Sequence, residues 1–194
     1  MKHVILITGT PCTGKTTTAK QLAQKLNADY INLTEFANTH SLITGEDKQR
    51  KTQIIDEEKM RKKLTETINT TENPTIIIEG HYAAAVTPKQ HVTHVFVLRR
   101  NPIELRKHME KNGYQNTKLW ENLAAEILDV SLTEALQEQE DDKVCELDTT
   151  GKNPEAVATE ILNIINKNKK CPIGKVDWLG MLETQGLTNQ YLKI

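Results

Sequence analysis

Eight residues near the N-terminus have the types and spacing needed to bind phosphate groups. The segment from Gly9 to Thr16 reads GTPCTGKT and matches the pattern G-x-x-x-x-G-K-[ST] at every fixed position. Glycines permit a tight loop whose backbone N–H groups converge on phosphate oxygens, and the following helix adds the positive end of its dipole. We therefore expect Lys15 to reach the β- and γ-phosphates and the Thr16 hydroxyl to bind a magnesium ion.

A carboxylate follows a second apolar run. The run TIIIE ends at Glu79 and is followed by Gly80 and His81. An acidic residue at the end of the strand beside a phosphate-binding loop commonly holds magnesium or its water shell, and we expect this role of Glu79. The alternative is that Glu79 is simply the first solvated residue after a buried strand. His81 is a candidate for orienting the attacking group, although a lone histidine is as often a packed side chain.

Two arginines and a short helix break complete the candidate chemistry. Arg99 and Arg100 follow the apolar run VFVL, and the planar guanidinium can bind phosphate through two parallel hydrogen bonds. The alternative for the two arginines is a surface ion pair. Between residues 111 and 121 one helical pattern breaks at Gly113 and another begins, which is typical of a short lid that closes over a nucleotide.

The elements that must position these residues alternate along the chain. Apolar, β-branched runs alternate with longer helical patterns, which predicts a parallel sheet with crossover helices. The stretch 34–55 is polar and predicts a helix followed by a mobile loop. Strands are predicted at 4–7, 30–33, 75–79, 94–98 and 144–147, and further helices at 16–26, 56–68, 102–109, 116–139 and 154–166.

Length and composition narrow the class of protein. The chain has 194 residues, 37% of them hydrophobic and 26% charged, as expected for one globular domain. A net charge of -1 argues against a protein that coats nucleic acid, and 4% aromatic residues argue against a base-stacking platform. There is no apolar run of membrane-spanning length and no signal-peptide pattern, so we expect no membrane contact and a cytoplasmic location.

The three cysteines, Cys12, Cys145 and Cys171, are odd in number and widely spaced. They form no C-x-x-C pair, so the sequence predicts neither a disulfide framework nor a zinc site. Cys12 lies beside a predicted helix N-terminus and Lys15, which predicts a thiolate more reactive than that of Cys145. The alternative is an inert cysteine.

Taken together, these motifs resemble the archaeal and nuclear adenylate-kinase-like family, which also acts in maturation of the small ribosomal subunit. The resemblance covers residues 3–166, and ordinary adenylate kinases have a longer, arginine-rich lid. The motifs that carry it are TGTPxTGKTT (8–17), EGH (79–81), VFVLR (95–99) and GYxxxKLxxNxxxEI (113–127).

The resemblance implies an α/β P-loop kinase fold with a five-stranded parallel sheet, a nucleoside monophosphate-binding segment at about 32–55 and a lid at about 111–121. It implies transfer of the terminal phosphoryl group of ATP to AMP or a related monophosphate, with Mg²⁺, and slow ATPase activity. It also implies a partner, a ribosomal protein of the universal small-subunit eleven family, and leaves direct RNA contact undecided. The implied catalytic residues are Lys15, Glu79, His81 and Arg99, and the implied metal ligands are Thr16 and Glu79. The implied ATP contacts are Gly9, Thr10, Cys12, Thr13, Gly14, Lys15, Thr16, Thr17 and Asn112.

The sequence departs from the family pattern at two positions. Cys12 stands where many members have glycine, so the loop must accept a Cβ there. Asn112 stands where the lid often has an arginine over the ATP. The charge of the transition state must then be met by magnesium or by other cations, for which Lys15, Lys111, Lys118 and Arg99 are the candidates.

Three other functions are alternatives to a monophosphate kinase. The first is a ribosome-assembly ATPase in which nucleotide state switches partner binding, and an assay with and without AMP separates the two. A small GTPase is disfavoured because the chain contains no Asn-Lys-x-Asp tetrapeptide. A shikimate-type kinase is compatible with the phosphate-binding loop but gains nothing from the rest of the sequence.

The sequence divides into a kinase domain, residues 1–166, and a tail, residues 167–194. The tail begins with a basic tether and continues with the apolar cluster VDWLGML (176–182). These residues are too apolar for a free linker and too few for a core of their own, so we expect them to dock on this domain or on a partner. Because the phosphate site is complete before residue 166, nucleotide chemistry is expected to survive removal of the tail.

Overall fold

A five-stranded parallel sheet forms the centre of the computed structural model, which describes residues 2–47, 52–169 and 171–193. Two further strands, β3 (Ile43–Asp47) and β4 (Thr52–Ile55), form a separate hairpin. The strands of the main sheet are β1 (His3–Thr8), β2 (Asp29–Asn32), β5 (Thr75–Glu79), β6 (Val92–Arg99) and β7 (Val144–Asp148). Their order is β2-β5-β1-β6-β7, with every neighbouring pair parallel, and this confirms the predicted sheet.

Helices cover both faces of the sheet. On one face, Ile5 and Ile7 of β1 pack in a cluster with the first and eighth helices. On the other, Val4 and Leu6 pack with the second, third, fourth and seventh helices. Burial on both faces explains why these strands read as continuous apolar runs. The helices are α1 (Lys15–Leu26), α2 (Leu33–Thr39), α3 (Glu57–Thr70), α4 (Ala83–Val86), α5 (Pro102–Lys111), α6 (Asn116–Ile127), α7 (Val130–Glu138), α8 (Pro154–Ile165), α9 (Trp178–Thr184) and α10 (Thr188–Tyr191).

The register of the sheet brings three strand ends together. Ile7 of β1 pairs with Glu79 of β5, and Asn32 of β2 pairs with the same Glu79 from the other side. Ligands of open parallel sheets bind beyond the carboxyl ends of the strands. The phosphate-binding loop therefore leaves β1 next to the Glu79 carboxylate.

The stretch 34–55 differs from the prediction of a helix and a mobile loop. After α2 the chain forms an antiparallel hairpin of β3 (Ile43–Asp47) and β4 (Thr52–Ile55). Ile43 and Ile55 pack against the core, which holds the base of the hairpin on the domain. Residues 48–51 of the predicted monophosphate-binding segment lie outside the described residues.

The helix predicted across 116–139 is interrupted. Asp129 adopts a left-handed conformation, with φ of 57°, and separates α6 from α7. Its carboxylate forms an ion pair with Arg99, so the interruption serves a contact that the apolar stripe of the helix does not encode.

The tail docks on the chain's own domain, one of the two outcomes that the sequence allowed. Leu182 and Tyr191 are buried in a cluster with Ile127 at the end of α6. Upstream, the Glu146 N–H of β7 donates to the Pro172 carbonyl at 2.7 Å, so the tail also runs along the edge of the sheet.

Two cysteines expected to be free form a disulfide between Cys145 and Cys171. Their Cα atoms are 5.1 Å apart because the tail passes beside β7, with Pro172 bonded to Glu146. The expectation of no disulfide is therefore wrong. The number and spacing of the cysteines do not show that the tail returns to the edge of the sheet at β7.

We expect reduction of this disulfide to lower the free energy of unfolding by about 3 kcal/mol. The bond closes a loop with a sequence separation of 26 residues, and a cross-link of that length removes entropy from the unfolded chain. Urea unfolding with and without reductant measures the difference. Cys12→Ser is the matched control, because Cys12 is the free cysteine, and it should leave the reductant effect intact. Equal stability of the oxidised and reduced protein would contradict the expectation.

Across the described ranges 2–47, 52–169 and 171–193, no helix combines the length and apolar character needed to cross a membrane.

Candidate active site

The loop between β1 and α1 has the backbone geometry of a phosphate-binding loop. Gly9 has φ of 132°, and a Cβ there would lie 2.3 Å from the Leu98 carbonyl oxygen, so only glycine fits. Gly14, with φ of 97°, leads directly into α1. The first N–H groups of α1 and the loop therefore face the same space at the end of β1.

Cys12 occupies the loop position at which the resemblance described above implies a glycine in many members. Its φ is 68°, in the left-handed region, which explains the preference for glycine there. The side chain is half-buried against an apolar cluster of α5 and α6 that includes Tyr114. Burial raises the pKa of the Cys12 thiol, although Lys15 and Arg100 act in the opposite direction. The expectation of a favoured thiolate is therefore wrong. The reactivity of Cys12 cannot be compared with that of Cys145, because Cys145 is disulfide-bonded and has no free thiol.

Lys15 lies folded back over the loop. Its Nζ donates to the Thr10 carbonyl oxygen at 2.9 Å, and the Thr13 hydroxyl donates to the same oxygen at 2.9 Å. Burial lowers the pKa of Lys15 to about 8, while Glu79 acts in the opposite direction. Burial has removed water from around the Lys15 ammonium. A phosphate oxygen beside it would stabilise the charge in place of that water, so Lys15 would become fully protonated.

Glu79 is the centre of a hydrogen-bond cluster that joins three elements. Its side chain is 2% exposed. Glu79 Oε1 accepts from the Thr16 hydroxyl of α1 at 3.0 Å, from the Tyr30 hydroxyl of β2 at 3.2 Å and from the Asn32 amide. Burial and the neighbouring Glu79 raise the pKa of Tyr30, so the phenol keeps the proton that it donates. The three hydrogen bonds therefore fix the position of the carboxylate next to the loop.

His81 lies beside the loop with its backbone tied to β1. The Thr8 hydroxyl donates to the His81 carbonyl at 3.1 Å, and the imidazole meets the Tyr82 ring edge-on. Loss of surrounding water and the charges of Lys15 and Lys118 lower the pKa of His81. The imidazole is therefore neutral at pH 7, with one nitrogen free to accept a hydrogen bond.

The residues around Glu79 fit a magnesium ion. The Thr16 hydroxyl and the Glu79 carboxylate are hard oxygen ligands, they lie 3.0 Å apart, and magnesium prefers such ligands. Among the described residues, no group of three or more His, Cys, Asp or Glu side chains could hold a metal unaided. The pair therefore suits an ion that completes its shell with water and nucleotide phosphates, as Mg²⁺ does.

Sequence comparison relates the whole chain to archaeal kinases. Residues 5–129 match the family described as "AAA domain". A protein of Thermococcus kodakarensis named "Putative adenylate kinase" is 39% identical over 175 residues, covering 90% of this chain and 92% of that protein. The protein of the same name from Saccharolobus solfataricus is 37% identical over 191 residues, covering 98% and 95%. This chain belongs to the archaeal adenylate-kinase-like family.

Solved structures show the same fold at low sequence identity. Shikimate kinase from Acinetobacter baumannii in complex with shikimate superimposes with a TM-score of 0.61 at 16% identity, covering 88% of this chain and 96% of the other. Thymidylate kinase from Candida albicans gives a TM-score of 0.53 at 17% identity, covering 91% and 96%. This member of the adenylate-kinase-like family therefore has the P-loop kinase fold predicted from its sequence.

Arg99 does not face the phosphate-binding loop in this family member. Its guanidinium is 1% exposed and forms ion pairs with Glu126 at 2.9 Å, with Glu146 at 2.7 Å and with Asp129. All three guanidinium nitrogens are thus bonded to carboxylates. The prediction of Arg99 as a catalytic phosphate ligand is wrong. The alternative of a surface ion pair is right about the ion pair and wrong about its place, because Arg99 and two of its partners are buried.

Arg100 points to the loop side instead. Its Nε donates to the Thr149 hydroxyl at 3.2 Å, and its Nη2 donates to the Thr149 carbonyl at 3.1 Å. That hydroxyl lies 3.1 Å from the Thr13 carbonyl oxygen of the loop. Along β6, alternate side chains face opposite sides of the sheet. Arg99 therefore lies on the same face of the sheet as Val95 and Val97, and Arg100, the next residue, points to the other face.

The remaining predicted ATP contacts differ in what surrounds them. Thr17 is exposed on the first turn of α1, next to Thr16. Asn112 ends α5, and its side-chain amide donates to the His108 carbonyl at 2.7 Å, within its own helix. Contacts of Thr17 and Asn112 with ATP stay predictions.

From the sequence alone Tyr30 is not identified as a site residue, and Asn32 is included only as the first residue of the monophosphate-binding segment. Both donate to Glu79, and Asn32 also caps α2 by accepting from the Glu35 N–H at 2.9 Å. The missing information was the strand order. Once β2 is placed next to β5, the end of β2 must lie beside Glu79, and the polar residues there become site candidates.

We expect ATP binding at alkaline pH to be accompanied by proton uptake at Lys15. The free protein holds this lysine with a pKa of about 8, and phosphate oxygens beside it raise that pKa. At pH 8.5 roughly three quarters of a proton is then taken up per ATP, and the affinity for ATP falls as the pH rises above 8. Calorimetry in two buffers of different ionisation enthalpy measures the uptake. The control Lys25→Ala, at the far end of α1, should take up the same fraction of a proton as the wild type. Identical heats of ATP binding to the wild-type protein in both buffers would contradict the expectation.

Proposed function

We propose that this protein is a nucleoside monophosphate kinase of adenylate type, which transfers the terminal phosphoryl group of ATP to AMP or a related monophosphate. The proposal is supported by the family membership and by the convergence of Lys15, Thr16 and Glu79 at the carboxyl edge of the sheet. Phosphoryl transfer needs positioning and charge neutralisation rather than a covalent nucleophile, and this site is built for both.

The observation that carries the proposal is the bridging position of Glu79. One carboxylate oxygen bonds both Thr16, at the start of the phosphate-binding helix, and Asn32, at the start of α2. The segment from residue 32 to 55 is where we place the monophosphate. The donor and acceptor sides of the reaction would therefore meet at a single fixed carboxylate.

Each residue has a proposed role. Lys15 binds the β- and γ-phosphate oxygens and neutralises the charge that develops on them. Thr16 and Glu79 hold the magnesium ion and its waters, and when bound that ion neutralises charge across the two terminal phosphates. The neutral imidazole of His81 accepts a hydrogen bond from a water or from the attacking group.

The lid is proposed to supply part of the missing cationic charge. Lys118 lies in the first turn of α6, beside the break between α5 and α6. Its ammonium lies 5.5 Å from the centre of the Tyr114 ring, and its charge acts on His81. A cation at this place can meet transition-state charge where Asn112 cannot.

A panel of monophosphates tests the proposal. The protein is incubated with Mg²⁺-ATP and AMP, GMP, CMP or UMP, and the nucleotides are separated by chromatography, so that the diphosphate formed from each acceptor is seen directly. We expect one diphosphate to form in stoichiometric amount with ADP from ATP. ADP formation at one rate with and without every acceptor would contradict a kinase and favour an ATPase that works as a binding switch.

The cellular setting belongs to the proposal as well. The family resemblance supports slow ATPase activity, a role in maturation of the small ribosomal subunit and the ribosomal protein of the universal eleven family as a partner. The proposed location is the cytoplasm, as expected from the sequence alone. A pull-down of that protein with ATP, ADP or no nucleotide would test the partner, and binding that depends on nucleotide state would support it.

A further inference from the structure

The tail makes a polar contact with α6, the helix that begins in the lid. The Trp178 indole N–H donates to Glu126 Oε1 at 3.0 Å, and both side chains are buried. The same oxygen accepts from Arg99 Nε at 2.9 Å and from the Arg100 backbone N–H at 3.0 Å. Glu126 is thus the point where the tail, α6 and the end of β6 are joined.

A second contact lies near the other end of α6. The Lys193 ammonium lies 4.1 Å from the centre of the Trp120 ring, on the second turn of the helix. The Arg106 guanidinium lies 5.0 Å from the Trp120 ring and 5.7 Å from the Tyr191 ring, so it sits between α6 and the tail. The tail therefore contacts α6 near both of its ends.

Glu126 is also connected to the phosphate-binding loop. Its bond to the Arg100 N–H fixes the residue whose side chain donates to Thr149, and the Thr149 hydroxyl contacts the Thr13 carbonyl of the loop. On the lid side, α6 carries Lys118, and the preceding turn carries Tyr114, which packs in the cluster with Cys12. The position of α6 therefore determines where the lid side chains stand above the loop.

We infer that the docked tail is part of the catalytic architecture, with Trp178 acting as a positioning residue that holds the lid helix through Glu126. The inference rests on the proposed kinase function for its effect on turnover. On the sequence alone, the chain divides into a kinase domain and a tail that nucleotide chemistry does not need. By this inference the tail is needed for efficient phosphoryl transfer, although the phosphate-binding loop forms without it. A displacement of about 1 Å in groups that position a reacting centre can reduce the rate a hundredfold.

Trp178→Phe tests the inference, because it keeps an aromatic ring and removes the N–H donor. We expect kcat to fall by about five- to tenfold, the Kd of ATP to change by less than about twofold, and amide exchange in residues 116–121 to accelerate by about tenfold. The chain has two tryptophans, so in this variant the fluorescence of Trp120 reports on the lid helix alone.

Val157→Ala is the matched control. Val157 is 2% exposed on α8 and packs on the other face of the sheet, so its truncation lowers stability without touching α6. We expect it to leave kcat and the exchange of residues 116–121 near wild-type values. An equal fall of kcat in both variants, or unchanged exchange in Trp178→Phe, would overturn the inference.

The test also covers two other outcomes, a Trp178→Phe variant that does not fold and a wild-type protein without kinase activity. If Trp178→Phe does not fold, Lys193→Ala takes its place, because Lys193 is exposed and contacts Trp120 directly. Faster exchange in residues 116–121 then supports the inference, and unchanged exchange overturns it. If the wild-type protein phosphorylates no monophosphate, the proposed function fails, whereas the exchange measurement still decides whether the tail holds the lid helix.

Discussion

Lys15→Ala is expected to lower the turnover of ATP by about a hundredfold to a thousandfold. The ammonium is the cation that touches the phosphate-binding loop directly, and preorganised charges of this kind contribute two to three orders of magnitude each. The fold should persist, because the lowered pKa of Lys15 shows that burial of its charge costs the folded state free energy. Steady-state ADP formation and thermal unfolding of the purified variant measure the two effects.

Lys25→Ala provides the matched control for this experiment. Lys25 lies at the end of the same helix and pairs with Glu155 at 2.6 Å, far along α1 from the loop. Its removal should leave turnover within about twofold, since exposed ion pairs contribute little. Turnover of Lys15→Ala at the wild-type rate would remove the loop from the mechanism.

Arg99→Leu is expected to lower the free energy of unfolding by about 3–5 kcal/mol. The substitution leaves Glu126 and Glu146, both almost fully buried, without the cation that compensates them. The paired carboxylates raise the pKa of Arg99 despite its burial, which shows that they favour its charged form. Equilibrium urea unfolding measures the loss.

Arg61→Ala is the comparison for that loss. Arg61 pairs with Glu138 at 3.8 Å, and both side chains are more than 40% exposed. Pairs of this kind contribute at most about 1 kcal/mol. Similar unfolding curves for the Arg61 and Arg99 variants would contradict the view that the buried cluster stabilises the fold.

The parts of the fold predicted from sequence are those that local pattern encodes. The run TIIIE is apolar at consecutive positions because β5 is covered on both faces, and the loop motif is a contiguous segment whose glycines serve its own backbone. Glu79 could be assigned to the site because it follows a strand directly, and the carboxyl ends of parallel strands meet at one edge.

The parts that were missed depend on contacts distant in sequence. The role of Arg99 could be predicted only from the contacts that Glu126, Glu146 and the tail make at the end of β6. No rule of sequence spacing relates these positions. The same holds for the disulfide, because Cys171 reaches Cys145 only after the tail has returned to β7. The break at Asp129 has a similar cause, since its carboxylate bonds Arg99 of a distant strand.

The central position of β1 has a consequence for how the protein folds. His3 pairs with Thr75 and Val4 pairs with Val92, so both neighbours of the first strand arrive late in the chain. Long loops must close before such pairings are rewarded, which makes parallel sheets of this kind slow to form. The helical hairpin of α5 and α6 has local contacts and can form earlier. Until the sheet closes, the apolar runs VILIT and TIIIE stay unpaired, and in that interval the chain is most exposed to aggregation.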